Sequence, residues 1–245
     1  MKQTIVLLIS AALLALGCEK ESEDPATPGL AHLMVYNGSA DFYNAQGLVL
    51  KNNQPLGSRT YNDNGIGLVG AFNFASYSLI DSGSYRIAYL DSSSIPAEAA
   101  KLSETRVHLE NGQHYTLYLL DSLGFFEILT TRDEVARDPA MANIRLVHLS
   151  PDAGEVYLRL DTALVADIKP LSFRGVSHFV KVGPDIKPAI RIMYKDKETG
   201  EERTLSRKSF PLQAGRCYTM ILRGYRDPAD GNVNKTINLS TITNY

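Results

Sequence analysis

From residue 31 onward the apolar positions come in short bursts of about five residues, separated by clusters of Gly, Asn, Asp, Ser and Pro. Within a burst they tend to alternate, the period that sends successive side chains to opposite faces of a strand. Gly112-Gln-His-Tyr115-Thr-Leu117-Tyr-Leu119-Leu sets Tyr115, Leu117 and Leu119 on one face. Tyr218, Met220 and Leu222 stand in matching places further on. The pattern predicts strands at 31–36, 47–50, 85–90, 105–109, 115–120 and 125–130, then at 144–149, 155–160, 178–182, 189–194, 204–210, 218–222 and 236–241. Helical periodicity is weak. Residues 95–102 and 132–137 are the helix candidates, and the second, with Asp138-Pro139, reads as a connection between domains. Short strands with turn chemistry between them predict an all-β chain built of Ig-like β-sandwiches.

The strand pattern repeats. Leu109-Glu-Asn-Gly112-Gln-His-Tyr115-Thr116 returns as Leu212-Gln-Ala-Gly215-Arg-Cys-Tyr218-Thr219, 103 residues on. Upstream, Ser84-Tyr85-Arg86-Ile87-Ala88-Tyr89 matches Ala189-Ile190-Arg191-Ile192-Met193-Tyr194, 105 residues on. A period of that size is a whole domain rather than a solenoid unit. The motif has a mechanical sense: the leucine closes one strand, a turn containing glycine reverses the chain, and Tyr-Thr opens the next strand. Residues 31–137 and 138–245 are therefore read as tandem sandwich domains, the first the more divergent copy.

The first thirty residues break the pattern. Met1-Lys2 is basic, residues 5–17 are apolar and uncharged, and Leu14-Ala15-Leu16-Gly17-Cys18 follows. The apolar run is too short to span a bilayer of about 20 helical residues. Leu14 to Cys18 resembles the lipobox of bacterial lipoproteins. That resemblance implies cleavage after residue 17, diacylglycerol on the Cys18 sulfur and a further acyl chain such as palmitate on the new N-terminus. Two or three chains anchor durably, at about 0.8 kcal/mol per buried methylene. Residues 18–30, with Glu19-Lys20-Glu21-Ser22-Glu23-Asp24 and two prolines, read as a hydrated tether. The acidic cluster resembles the surface-export signals of Bacteroidetes lipoproteins. The expected location is the outer membrane, with the domains on the periplasmic face or the cell surface.

Charge and chemistry narrow the picture. The whole chain carries a net charge of −2, and losing Lys2 makes the mature form slightly more acidic, which argues against a nucleic-acid partner. Once Cys18 is acylated only Cys217 remains, so stability rests on burial rather than on a disulfide; Cys217 lies in an apolar run and reads as an inert buried thiol. The five histidines, His32, His108, His114, His148 and His178, show no zinc-ligand spacing, and no nucleophile elbow or phosphate loop occurs. Gly65-Ile-Gly-Leu-Val-Gly70 lacks the spacing of a nucleotide turn. Asp227-Pro-Ala-Asp230-Gly231-Asn232 and Tyr61-Asn-Asp-Asn-Gly65 hold clustered oxygens without the alternation of a calcium loop, and read as hairpin connections. No catalytic, metal or cofactor residues are expected.

Val147-His148-Leu149-Ser150-Pro151-Asp152-Ala153, followed by Val156-Tyr157-Leu158, resembles the opening of the bacterial domain of unknown function DUF4397. Leu212, Gly215, Tyr218 and Thr219 resemble its closing Leu-x-x-Gly-x-x-Tyr-Thr. The second copy fits at both ends. The first fits at its end only, since Val35-Tyr36-Asn37-Gly38-Ser39-Ala40 lacks the histidine and proline and is read as lacking the aspartate. The resemblance implies extracytoplasmic Ig-like sandwiches, often in tandem and lipid-anchored, and implies no activity. Pro151 and Asp152 suit a turn, and His148 is expected to bond a carbonyl or pack on that loop. The resulting expectation is a non-catalytic, membrane-anchored binding or scaffolding module with a protein or glycan partner. The alternative is a glycan-binding accessory of a saccharide uptake system, acting through loop tyrosines.

Overall fold

Strand follows strand along the described chain, with one 3-10 turn (Val233–Lys235) and no α-helix among those residues. The computed structural model describes residues 29–41, 48–52, 54–55, 59–61, 67–69, 77–90, 101–185 and 187–244. The apolar leader, Cys18 and the acidic tether as far as Pro28 lie outside the described residues.

The first half contains β1 (Leu30–Asn37), β2 (Leu48–Lys51), β3 (Gln54–Pro55), β4 (Arg59–Tyr61), β5 (Gly67–Val69) and β6 (Ser78–Asp81). It continues with β7 (Gly83–Leu90), β8 (Lys101–Leu109), β9 (His114–Ser122) and β10 (Phe125–Arg132). The second half contains β11 (Ala142–Leu149), β12 (Val156–Leu160), β13 (Ala163–Leu164) and β14 (Val180–Val182). It ends with β15 (Ala189–Lys195), β16 (Glu202–Ser209), β17 (Cys217–Arg223) and β18 (Asn238–Thr243).

The two halves share one strand order. Sheet β10-β9-β1-β6 corresponds to β18-β17-β11-β14, and β2-β7-β8 to β12-β15-β16. In each half the first strand lies parallel to the strand that opens with Tyr-Thr: Leu33 pairs with Tyr115 and Ile144 with Tyr218. Between the two sheets of each half sits a core. Leu33, Val35, Ile87, Tyr89, Leu117 and Leu119 fill the first, and Ile144, Leu146, Ile190, Ile192, Met220 and Leu222 the second. A further apolar layer joins the halves, with Met34, Tyr36, Tyr118 and Leu120 meeting Val147, Leu149, Ile221 and Ile242. The molecule is therefore a stack of four sheets. Its two middle sheets are covered on both faces, so β9, β11 and β17 are almost wholly buried and read as nearly continuous apolar runs.

The repeated Leu-x-x-Gly-x-x-Tyr-Thr motif is a tyrosine corner in both halves. The Tyr115 hydroxyl accepts the Glu110 N–H at 3.2 Å, and the Tyr218 hydroxyl accepts the Gln213 N–H at 3.1 Å. Gly112 and Gly215 turn the chain between them at φ +73° and +76°, a conformation that other residues adopt only at a cost.

Neither helix candidate is helical where it is described. Lys101 and Leu102 open β8, and residues 95–100 lie outside the described set. Arg132 closes β10, and residues 133–137 run on without regular structure. The backbone groups a helix would use internally are taken elsewhere. The Asp133 N–H bonds the His114 carbonyl at 2.8 Å, while the Ala136 carbonyl accepts from Asn143 Nδ2 at 2.9 Å and Cys217 Sγ at 3.2 Å.

Candidate functional site

The strand ends opposite Leu30, the first residue of β1, carry the loop that the sequence singles out. His148, fully buried, is the last residue but one of β11, and residues 150–154 fold around its ring. The Ser150 N–H donates to Nδ1 at 3.3 Å, so Nδ1 is the acceptor and Nε2 carries the proton, which it donates to the Gly154 carbonyl at 2.8 Å. Burial depresses the imidazole pKa, more than its bond to Gly154 raises it. Asp152 reaches out of this loop to the β17–β18 connection, accepting the N–H groups of Arg226 at 2.7 Å and Asp227 at 3.0 Å. The histidine and aspartate of the motif thus hold backbone.

The first half has the same device in other residues. Asn37 pairs with Leu119 and His148 with Leu222, so Asn37 occupies the place of His148. Its side chain does the same work, since Oδ1 accepts the Ser39 N–H at 3.0 Å. Ser39 and Asp41 then stand where Ser150 and Asp152 stand. Asp41 accepts the Gly124 N–H of the β9–β10 turn at 2.8 Å, as Asp152 accepts that of Asp227. The first copy therefore keeps the motif's aspartate, contrary to the reading of its sequence. With asparagine replacing histidine and alanine replacing proline, Ser-x-Asp was too short a signal.

The two loops converge. Asp41 and Asp152 line one pocket of about 320 Å³ together with Leu123, Pro151, Tyr225, Asp227 and Lys235. Tyr225 and Lys235 of the second half close on Asp41 of the first: Lys235 Nζ lies 2.9 Å from Asp41 Oδ1 and 2.8 Å from Asp230 Oδ2. The Tyr225 hydroxyl stands 2.8 Å from Asp121 Oδ2 and 3.0 Å from Asp41 Oδ2, and accepts the Leu123 N–H at 2.7 Å. Its one hydrogen serves one carboxylate at a time. Asp121, buried behind the pocket, also accepts the Ala40 N–H at 2.6 Å. Burial, with the neighbouring Asp41 carboxylate, lifts the Asp121 pKa above its ordinary value. Burial acts the same way on Asp41, yet the bonds from Lys235, Asp121 and Tyr225 outweigh it and hold Asp41 low. The pocket rim is apolar at Leu123, which is exposed and sits at φ +51°, a backbone region costly for a branched residue.

A second, larger cleft of about 750 Å³ opens on the other side of the Asp152 loop, lined by Glu155, Tyr157, Tyr194, Lys195, Glu198 and Arg203. Arg226 caps it, its guanidinium 4.5 Å from the centre of the Tyr194 ring.

A polar knot lies at the opposite end of the seam between the halves. Arg145 Nη1 meets Asp133 Oδ1 at 2.6 Å; its Nε donates to Thr219 Oγ1 at 2.8 Å and its Nη2 to the Tyr118 hydroxyl at 3.0 Å. Asp133 also accepts from Tyr77 at 2.6 Å, from Thr131 at 2.8 Å and from Thr116. Thr219 donates to Asn244 at 2.6 Å, and Asn244 Nδ2 donates to Tyr77 at 3.0 Å. Both threonines of the repeated motif point into this knot. Burial, opposed by the Arg145 guanidinium and helped by the Asp133 carboxylate, pushes the Tyr118 hydroxyl up to about 12.

Cys217 is buried, and burial raises its thiol pKa. The 227–232 stretch forms turns before β18, with Asp230 accepting the Asn232 N–H at 3.0 Å. Tyr61 ends β4 and Gly67 opens β5, while residues 62–66 and 70 lie outside the described set, as does Cys18. Among the described residues no three His, Cys, Asp or Glu side chains are placed to hold a metal ion, and no helix is long and apolar enough to cross a membrane.

Comparison with known families matches residues 31–159 to Domain of unknown function (DUF4397). The chain belongs to the DUF4397 family. The matched segment takes in the whole first half and runs through the His148–Asp152 loop to β12, so both loops of the shared pocket lie inside it. No curated protein matches the chain.

Proposed function

We propose that this DUF4397 protein is a non-catalytic, lipid-anchored cell-envelope module that binds or scaffolds a partner at the outer membrane. One observation carries the reading. The family motif's imidazole and carboxylates are spent on the protein's own backbone, and they shape a pocket shared by both halves. That is the work of a rigid recognition surface. The address rests on Leu14-Ala15-Leu16-Gly17-Cys18. The tether joins at the start of β1 and Asp41 follows its end, roughly 26 Å away at about 3.3 Å per residue. An anchored molecule would hold the pocket away from the membrane, facing either the periplasm or the exterior.

Metabolic labelling with tritiated palmitate tests the anchor: label and membrane association are expected for the natural chain and lost in Cys18→Ala. Crosslinking in intact outer membranes tests the pocket, with capture by the natural chain and loss in Leu123→Glu. Turnover of a glycan or peptide, abolished by one carboxylate substitution, would overturn the non-catalytic reading.

The Tyr157–Tyr194 cleft favours a second reading, a glycan-binding accessory of a saccharide uptake system. Aromatic rings beside carboxylates and guanidiniums suit a sugar's apolar face and its hydroxyls. Glycan-array binding lost in Tyr157→Ala would support it, and a clean negative array would end it.

A further inference from the structure

The outer face of the second half's outer sheet carries a row of arginines. Arg159 on β12 stands directly opposite Arg191 on β15, and Arg191 directly opposite Arg207 on β16. Arg159 and Arg191 lie on the outer face, because Leu158, Ile190 and Ile192, their neighbours along the strands, point into the core, and Arg207, opposite Arg191, is exposed. Like charges directly opposite one another on a sheet face destabilise it. Compensation is partial: Arg159 meets Glu202 at 2.7 Å, but Arg191 and Arg207 meet no carboxylate among the described residues. The Nε atoms of Arg159 and Arg191 are shielded from solvent and find no acceptor there either.

The same unfavourable pair occurs in the first half. Arg86 on β7 stands opposite Arg106 on β8, and Arg86 is the residue that the 105-residue repeat matches to Arg191. Arg86 Nε lies 3.8 Å from Glu104 Oε2, and Arg106 has no carboxylate partner among the described residues. Both copies of a divergent duplication thus retain a self-repelling arginine pair at one position. Core packing does not explain it, since these side chains face away from the core.

We propose that these faces bind an anionic polysaccharide, the arginine row of the second half forming the principal site and the Arg86–Arg106 pair a second one. Guanidiniums stepping across a sheet are spaced by the strand separation, about 4.8 Å. That step is comparable to one sugar unit along an extended chain, so successive carboxylates of a polyuronate can meet successive arginines as paired acceptors. A flat, solvent-facing sheet suits a polymer better than a small anion. The two arginine faces belong to the outermost of four layers about 10 Å apart, so they point in opposite directions roughly 30 Å from each other. One molecule would then tie two polymer chains together. The choice of a glycan over a lipid headgroup rests on the anchored reading above, in which the membrane lies at the strand ends and the arginine faces stand on the flanks.

The test uses the full chain in mild detergent, with polygalacturonate as the probe, dextran as the neutral control and phosphatidylglycerol vesicles as the lipid arm. Binding to polygalacturonate alone is expected, weakening at least ten-fold between 50 and 300 mM salt, on the order seen when several charge contacts are screened. Arg191→Gln with Arg207→Gln should weaken it about ten-fold or more while leaving the melting temperature equal or higher, because the like-charge pair is relieved. Arg86→Gln with Arg106→Gln should keep most of the affinity but lose polymer cross-linking, read as light scattering. Unchanged affinity in the first variant, a lowered melting temperature in it, equal binding to dextran, or binding to vesicles in place of polymer would each overturn the proposal. Palmitate labelling and membrane capture are read separately, so failure here would leave the anchored-module reading standing.

Discussion

Asp133 Oδ1 and Arg145 Nη1 lie 2.6 Å apart where the two halves meet, with both side chains sealed from water. Asp133 also accepts from Tyr77, Thr116 and Thr131, and Arg145 also donates to Tyr118 and Thr219. Such a pair need not stabilise the fold relative to apolar residues of the same volume, but breaking one side of it strands a charge. Arg145→Met should therefore cost roughly 3–5 kcal/mol in urea denaturation, and adding Asp133→Leu should recover much of that loss. Methionine is the natural choice, since Met34 holds the corresponding place on β1. Equal losses in the single and double variants would mean that the knot is not where the stability resides.

The two tyrosine corners make a paired prediction. Tyr115→Phe and Tyr218→Phe each remove one hydroxyl that accepts a backbone N–H while leaving the ring in place, so each should cost about 1 kcal/mol. Similar values in the two halves are expected from chemical denaturation. A loss confined to one corner would show that the shared motif no longer does the same work in both copies.

Much of this architecture was legible in the chain. The alternation at Tyr115, Leu117 and Leu119 marks an inward face, and the Leu109 and Leu212 motifs mark equivalent turns. What alternation could not show was the second buried face of the middle sheets. Met34, Tyr118, Leu120 and Ile221 look like interruptions of a two-sided strand until the other half covers them. Arg145 inside an apolar run was uninterpretable for the same reason: its partners come from the end of β10 and from β9 and β17, and nothing local announces them. Strand β6 went unpredicted because only Ile80 of its four residues is buried. Residues 132–137 carry charges at spacings that suit a helix, yet their course is set by distant bonds to His114 and Asn143. At the candidate pocket the second loop was readable through its histidine and proline. The first became visible only once strand register placed Asn37 beside Leu119.

Asp121 makes stability depend on pH in a defined direction. Its pKa is raised chiefly by burial, so the protonated form is the one the fold favours. The associated stability is present in full below the unfolded carboxylate value of about 3.9 and is lost as pH rises through the folded pKa. Asp121→Asn keeps an oxygen for the Ala40 N–H and an N–H₂ to give Asp41, and it cannot ionise. Its melting temperature relative to the natural chain should climb as pH is raised from 4 to 7. Working with the difference cancels carboxylates that Asp121 does not touch, such as Asp138 and Asp196, whose lowered pKa values act in the opposite sense in both proteins. A flat difference across that range would show that Asp121 carries no ionisation cost in the fold.

His148 gives the converse case. Its ring is sealed from water with Nε2 on the Gly154 carbonyl and Nδ1 accepting from Ser150, an arrangement that only the neutral imidazole satisfies. Burial holds its pKa below the ordinary value. The stability it contributes is present above about pH 6.5 and is lost as pH falls through the folded pKa, when the ring must charge. Asn37 shows that an asparagine can accept the equivalent N–H in the first half. His148→Asn should therefore fold, losing about 1 kcal/mol at pH 8 with the bond to Gly154. It should also lose less stability than the natural chain between pH 6.5 and 5. His114 is depressed by burial as well and would supply part of any acid sensitivity, so the comparison is best made with His114→Gln in both proteins. Parallel stability curves over that range would mean that His148 is not the group whose protonation loosens the motif loop.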